Sequence, residues 1–295
     1  MIVLGENQYG KAENRLVRIY RDTDRHEIRD LNVWTSLRGA FEAAHLTGDQ
    51  AAVLPTDTQK NTVFAFAKEK GVGAIEDFAL TLATHFVDDI EPVTAARVTV
   101  EEYAWDRVQV DGEPHDHTFV RRGQEVRTAS VTVGEDRVEV DSGLTDLVVL
   151  KSTGSEFHGF LEDRYTTLAP TTDRIMATSL TAQWRWAEHP ASSEAWDSAY
   201  DEVRALLLSR YAIVHSLALQ QTLWEMGRAV LEARHDLAEV RLAAPNKHHF
   251  AVDLSPFGLV NNGEVFHAAD RPYGLIEVTV QRAGPAGTNG GAWSG

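Results

Sequence analysis

Near the start of the chain, apolar and polar positions alternate in "NRLVRIYRD" and again in "HEIRDLNVWTSL". That two-residue period predicts strands with one buried face. The period then lengthens. "TDTQKNTVFAFAKEKG" has cap residues, helical spacing and a closing Gly71, and "AIEDFALTLATHFVDD" lines Ile75, Phe78, Leu82 and Phe86 along one side. Alternation returns in "ARVTVEEYAWDRVQV" and "TFVRRGQEVRTASVTV". The second half repeats this order, beginning with strands in "TDLVVLKST" and "DRIMATSLTAQWRW". From Ala195 to about Arg234 the pattern is helical, with Ser216 as the expected cap between two helices. "AEVRLAAPNKHHFAVDL" and "GLIEVTVQR" close the half as strands.

Two strands, two helices and two strands, read twice, predict a duplicated α+β fold with antiparallel sheets and helices on one sheet face. The expected units are residues 1–137 and 138–282. Residues 283–295, Gly-rich and without periodicity, are expected to be a disordered tail. The helix-free face calls for cover, and a second copy of the chain is the natural cover.

Composition narrows the functions. Of 295 residues, 43% are hydrophobic, enough for a real core, while 28 basic against 44 acidic side chains give a net charge of -16. Such a chain repels phosphate backbones, so neither nucleic acid nor an anionic membrane is an expected partner. An anionic substrate would need a local positive pocket. The absence of cysteine removes disulfides, thiolate metal sites and a cysteine nucleophile. No signal-peptide pattern or membrane-length apolar run is visible, which sets the cytosol as the expected compartment.

Four stretches carry candidate chemistry. In "VLPTDTQKNT", Thr56 and Asp57 stand at a helix start, where either would cap free amides or help present them to a ligand. "LKSTGSEFHGFLEDRYTTLAPTTDR" has loop composition yet carries Phe157, His158, Phe160 and Tyr165, and ends at Arg174. An Arg beside a Phe can grip a flat anionic ligand by its planar fork plus stacking, or can be an ordinary surface residue. In "HSLALQQTLWEMG", Gln220 and Gln221 interrupt an apolar helix. "PNKHHF" gathers an amide, an amine and two imidazoles at a strand mouth. His248 and His249 would point to opposite strand faces and cannot share a metal. His115 and His117 lack further ligands at credible spacing, so no metal is expected.

Taken together, these segments resemble the urate oxidase (uricase) family. "YGK" at Tyr9 to Lys11, "TDTQKNT" at Thr56 to Thr62, "LKSTGSEFHGFLEDRYTTL" at Leu150 to Leu168 and "PNKHHF" at Pro245 to Phe250 match in order and separation, from about Gly5 to Arg282. The resemblance implies two tandem T-fold units, a homotetramer around a tunnel, active sites between subunits, and oxidation of urate by O2 to 5-hydroxyisourate and hydrogen peroxide without metal or organic cofactor. It implies Phe157 as a stacking platform, Arg174 and Gln220 gripping opposite edges of urate, and backbone amides of Asp57 and Leu219 as further contacts. Gln220 rather than Gln221 follows from the family's Gln-x-Thr-x-x-x-Met pattern. Asn246 and the Thr56 hydroxyl would hold O2 or water above the ring, and Lys11, Thr56 and His248 would relay protons. Lys247 and His249 point away. The chain departs from the family at Pro55, where a small residue is usual. It also lacks the peroxisomal Ser-Lys-Leu ending of eukaryotic members, so a bacterial cytosolic protein is expected. The alternatives are another T-fold enzyme of purine or pterin chemistry, whose members commonly rely on a Cys, and an inactive purine-binding oligomer.

Overall fold

The computed structural model describes residues 1–134 and 136–283, so the expected tail lies almost entirely outside the described residues. The first half runs β1 (Tyr9–Tyr20), β2 (Glu27–Gly39), α1 (Glu42–Leu46), α2 (Thr56–Glu69), α3 (Ile75–Asp88), β3 (Val93–Val110) and β4 (Glu113–Gly134). The second runs β5 (Val138–Lys151), β6 (Met176–Trp186), α4 (Ser193–Ile213), α5 (Leu219–Ala233) and β7 (Leu237–Pro245). It closes with β8 (His248–Ala251), β9 (Phe266–Ala269) and β10 (Leu275–Gln281). Eight strands form one antiparallel sheet in the order β1-β2-β3-β4-β5-β6-β7-β10, and β8 pairs with β9 separately.

Alternation decides what each sheet face meets. Leu31, Val33, Val98, Val100, Val131, Val140, Leu180, Trp184, Val240 and Leu242 share one continuous core with Val63, Phe78, Leu82, Phe86, Trp196, Leu207 and Leu223 of the helices. The intervening residues, among them Arg97, Thr99, Glu101, Thr128, Ser130, Gln183 and Arg185, make much of the other face polar, with half-exposed Val17, Val148 and Leu150 among them. Among the described residues, no helix is long and apolar enough to cross a membrane.

The duplication extends to local backbone detail. The β1/β2 ladder shifts register between Lys11, opposite Thr35, and Asn14, opposite Val33. The β5/β6 ladder shifts identically between Leu144, opposite Ala182, and Leu147, opposite Leu180. Each bulge holds a non-Gly residue with positive φ, Glu13 at 54° and Asp146 at 57°. Just before the bulge, Gly10 and Gly143 occupy matching positions, and a Cβ on them would strike the carbonyls of Thr35 and Ala182 at 1.7 and 2.5 Å. The two halves meet where β4 pairs with β5, with Arg127 opposite Leu144 and Thr128 opposite Gly143.

Three local expectations are corrected. The stretch 238–254 is two strands rather than one: the chain leaves the large sheet after Pro245 and starts β8 at His248. Between them, Asn246 N–H donates to Gly274 O and Lys247 N–H to Ala177 O. Ser216 does not cap α5. The N-cap position is Ala218, while Ser216 lies buried in a bridge with Ser155 and its hydroxyl accepts from Thr222. Nor do Thr56 or Asp57 cap α2, whose N-cap is Pro55 at φ -53° with no side-chain cap bond. Proline suits that position, since its fixed φ is close to this value.

Candidate active site

In the second half, the loop between β5 and β6 is built as short ladders. Phe157 N–H donates to Thr171 O at 2.8 Å and Thr171 N–H to Phe157 O at 2.9 Å. On its other side, Ser216 N–H donates to Gly154 O and Glu156 N–H to Ser216 O. Phe157 is thereby fixed between the run-up to β6 and the approach to α5. Arg174 N–H donates to Ser155 O at 2.9 Å, and its Nε approaches Ser155 Oγ at 3.3 Å. Its guanidinium carbon lies 4.9 Å from the Phe157 ring centre. Partial burial lowers the Arg174 pKa from its ordinary value by desolvating the cation. Phe160 stacks on Phe157 with centroids 4.9 Å apart and planes 18° from parallel.

The same ladder leads into α5. Leu219, its first residue, is buried, and no side chain caps this helix start. The free amides there form a ready site for anionic or carbonyl groups. Gln220 is exposed, whereas the Gln221 amide oxygen accepts from Leu217 N–H at 3.0 Å. Of the two amides, Gln220 is the one with no protein hydrogen bond among the described residues. Asn246 bridges Thr178 at the start of β6, so Phe157, Arg174, Leu219, Gln220 and Asn246 all sit around one end of the second unit. His248 follows on β8, its ring stacked on Phe250 with centroids 5.6 Å apart.

Lys11, Thr56 and Asp57 lie elsewhere. Lys11 N–H donates to Thr35 Oγ1 at 3.2 Å, and the Thr35 hydroxyl donates to Gln59 Oε1 at 2.7 Å. Through fully buried Gln59 the bulge of β1 is tied to the first turn of α2. The Asp57 carboxylate is held below its ordinary pKa, chiefly by its hydrogen bond with Lys60, with a smaller contribution from the Lys11 charge. A cavity of about 530 Å³ adjoins Lys11 on the helix-free face, lined also by Tyr9, Trp34, Ser36 and Arg97. β1 and β10 are opposite edges of the sheet. At about 4.8 Å per strand, the seven intervals between them span roughly 34 Å along the sheet.

Sequence reasoning took Ser216 for a helix cap and passed over Ser155, Thr35 and Gln59, which position the named residues, and Gly274, whose carbonyl holds Asn246. Small polar residues inside loop or strand composition give no periodic signal. Among the described residues, no group of three or more His, Asp or Glu side chains is arranged to hold a metal.

Fold and site define a class: a duplicated α+β protein whose antiparallel sheet ends in two open edges, each flanked by an uncapped helix start. The family model described as Uricase matches residues 7–132 and 140–277, one stretch per repeat. A uricase from Arthrobacter globiformis is 54% identical over 283 residues, covering 96% of this chain and 91% of that protein. One from Aspergillus flavus is 35% identical, covering 94% of this chain and 96% of that protein. The crystal structure of the uricase from Arthrobacter globiformis superposes with a TM-score of 0.93 at 52% identity, covering 98% of each chain. A urate oxidase from Bacillus sp. TB-90 shares the fold at a TM-score of 0.82 and 23% identity, covering 94% of this chain and 100% of that one. The chain belongs to the uricase family, and its two repeats are tandem T-fold units.

Proposed function

We propose that the chain oxidises urate with O2 and water to 5-hydroxyisourate and hydrogen peroxide, in pockets completed between two copies. The observation that carries this reading is the Arg174–Phe157 stack beside the uncapped start of α5. A flat, anionic heterocycle fits there: its ring on Phe157, one edge on the Arg174 fork, the other on the Gln220 amide and the Leu219 N–H.

The internal repeat supports completion by a second chain. β3 and β4 correspond to β7 and β10 through their matched pairing: Thr35 faces Val98, which faces Val131, as Ala182 faces Leu242, which faces Val278. If the open edge of β10 met β1 of a second copy as β4 meets β5, Leu275 would stand opposite the partner's Gly10. Gly274, which holds Asn246, would then stand opposite the partner's Lys11. Thr56 and Asp57 would arrive from that same partner, by the way the α4 start meets the α3 start within the chain. Lys11, Thr56, Asn246 and His248 then share one pocket with the stack. A homotetramer around a tunnel is part of this reading, and the polar helix-free face suits a tunnel wall. So is a bacterial cytosolic setting, supported by kinship with the Arthrobacter globiformis protein.

In the chemistry, the Lys11–Thr56–His248 relay takes a proton from bound urate, leaving it electron-rich enough to give one electron to O2. Recombination forms a bond from C5 to oxygen, and departure of hydroperoxide, protonated through the relay, opens C5 to water. Asn246 and Thr56 hold first O2 and then that water above the ring. The test is loss of urate absorbance with one O2 consumed per urate in metal-free buffer. No urate loss by well-folded protein would overturn the reading.

A further inference from the structure

Behind the Phe157 platform, one carboxylate gathers two imidazoles. Glu156 Oε2 bonds His158 Nε2 at 2.7 Å, and Glu156 Oε1 bonds His215 Nε2. Glu156 and His158 flank Phe157 on a loop held by the isolated Ser155–Ser216 and Phe157–Thr171 bridges. His215 comes from the segment joining α4 to α5, four residues before Leu219. Glu156 therefore ties the platform loop to the helix start that flanks it, beyond what the Ser155–Ser216 bridge already does. The carboxylate side chain is 18% exposed, against 50% and 57% for the two histidines, so the bonds converge on its shielded end. His215 hydrogen bonding holds Glu156 below its ordinary carboxylate pKa, with His158 adding to the effect. The other charged groups nearby are turned to different tasks. Lys151 Nζ donates to Val214 O, Asp173 accepts from Thr153, and Arg174 faces Phe157.

We propose that Glu156, with His158 and His215 as its two donors, is a positioning residue that holds the Phe157 platform in register with the start of α5. This rests on the substrate assignment above. A stack needs its ring and its edge contacts fixed together, and a misplacement of about 1 Å at such a site is costly. The clasp touches no substrate atom. Its loss should loosen urate binding more than it slows the chemical step.

The experiment compares the parent with Glu156→Ala and Glu156→Gln, measuring urate affinity by calorimetry under nitrogen, where no oxidation occurs, and kcat and KM in air. The expected result for Glu156→Ala is an anaerobic Kd and a KM raised about tenfold, with kcat within about twofold of the parent. Glu156→Gln, whose one amide oxygen still accepts from a histidine, should recover part of that affinity. Should Glu156→Ala fail to fold, His158→Phe/His215→Phe alters only exposed side chains and carries the same test. Affinity within twofold of the parent in the folded variant would overturn the clasp, as would a loss confined to kcat. A parent that binds no urate would instead count against the substrate assignment.

Discussion

The seam inside the chain and the two open edges of the sheet are built from equivalent elements, yet an ion-pair network spans the first and different side chains stand at the others. At the seam, Leu144 stands where β1 carries Lys11, and Ser193 opens α4 where Thr56 opens α2. Glu76, second residue of α3, corresponds to Gln220 of α5, and Glu102 to Asn246. Arg127 corresponds to Gly274, one step beyond the paired Thr128 and Leu275. Its guanidinium ties the seam together, bonding Glu76 at 2.8 Å and Asp197 at 2.6 Å, with Glu102 at 3.9 Å, beside a cavity of about 720 Å³ that Arg127, Glu102, Asp197 and Tyr200 line. Ser142 and Trp186 extend the network from Glu76, while Asp77 accepts from Trp196 and Ser193. At the edges, Gly274 has no side chain, and even a Cβ would come within 3.3 Å of the Asn246 amide nitrogen. One backbone scheme thus recurs at the seam and at the edges, with an arginine network at the first and a glycine at the matching position of the second.

Breaking the seam network should give the largest effect. Arg127→Met strips a buried carboxylate of its cation and is expected to cost about 4 kcal/mol of stability, read by denaturant unfolding. Burial already raises the Glu76 pKa against the pull of Arg127. Without that cation it rises further, so protonation favours the folded variant. The deficit should be widest above the Glu76 pKa and narrow as pH falls through it. A deficit that grows on acidification would contradict this.

On the open side, Lys11→Met should lower turnover about a hundredfold while leaving anaerobic urate affinity nearly unchanged, because a relay base acts in the chemical step. Normal turnover with a raised KM would remove Lys11 from the relay. Arg174→Ala should lower kcat/KM roughly thirtyfold, about 2 kcal/mol, through loss of a charged hydrogen-bonding fork. An anaerobic Kd equal to the parent's would show that Arg174 does not hold the ligand. Exhaustive chelation should have the smallest effect, none, since no ligand set among the described residues has metal spacing. Activity lost to chelator and restored by one specific metal would contradict that.

Much of this was legible in sequence, for identifiable reasons. Period-2 alternation marks the eight sheet strands because one face is buried, and helix 75–88 shows in its apolar stripe. Alternation could not place the break at Asn246 and Lys247, since "NKHH" carries no period of its own, and the break is made by hydrogen bonds to Gly274 and Ala177. The bulges went unseen because Glu13 and Asp146, not glycines, take the positive φ. Motif resemblance named the candidate site residues. Their division between opposite sheet edges depends on strand order, which no local pattern encodes.

The central claim is that one pocket draws Lys11 from one copy and Arg174 from another. Co-expression of differently tagged Lys11→Met and Arg174→Ala chains, followed by purification of hybrids, tests it directly. In a two-fold pair, one pocket would carry both lesions and its mate neither. The account predicts that mixed pairs recover up to about half of the parent activity. Hybrids no more active than the mean of the two variants would place Lys11 and Arg174 in pockets within one chain and contradict it.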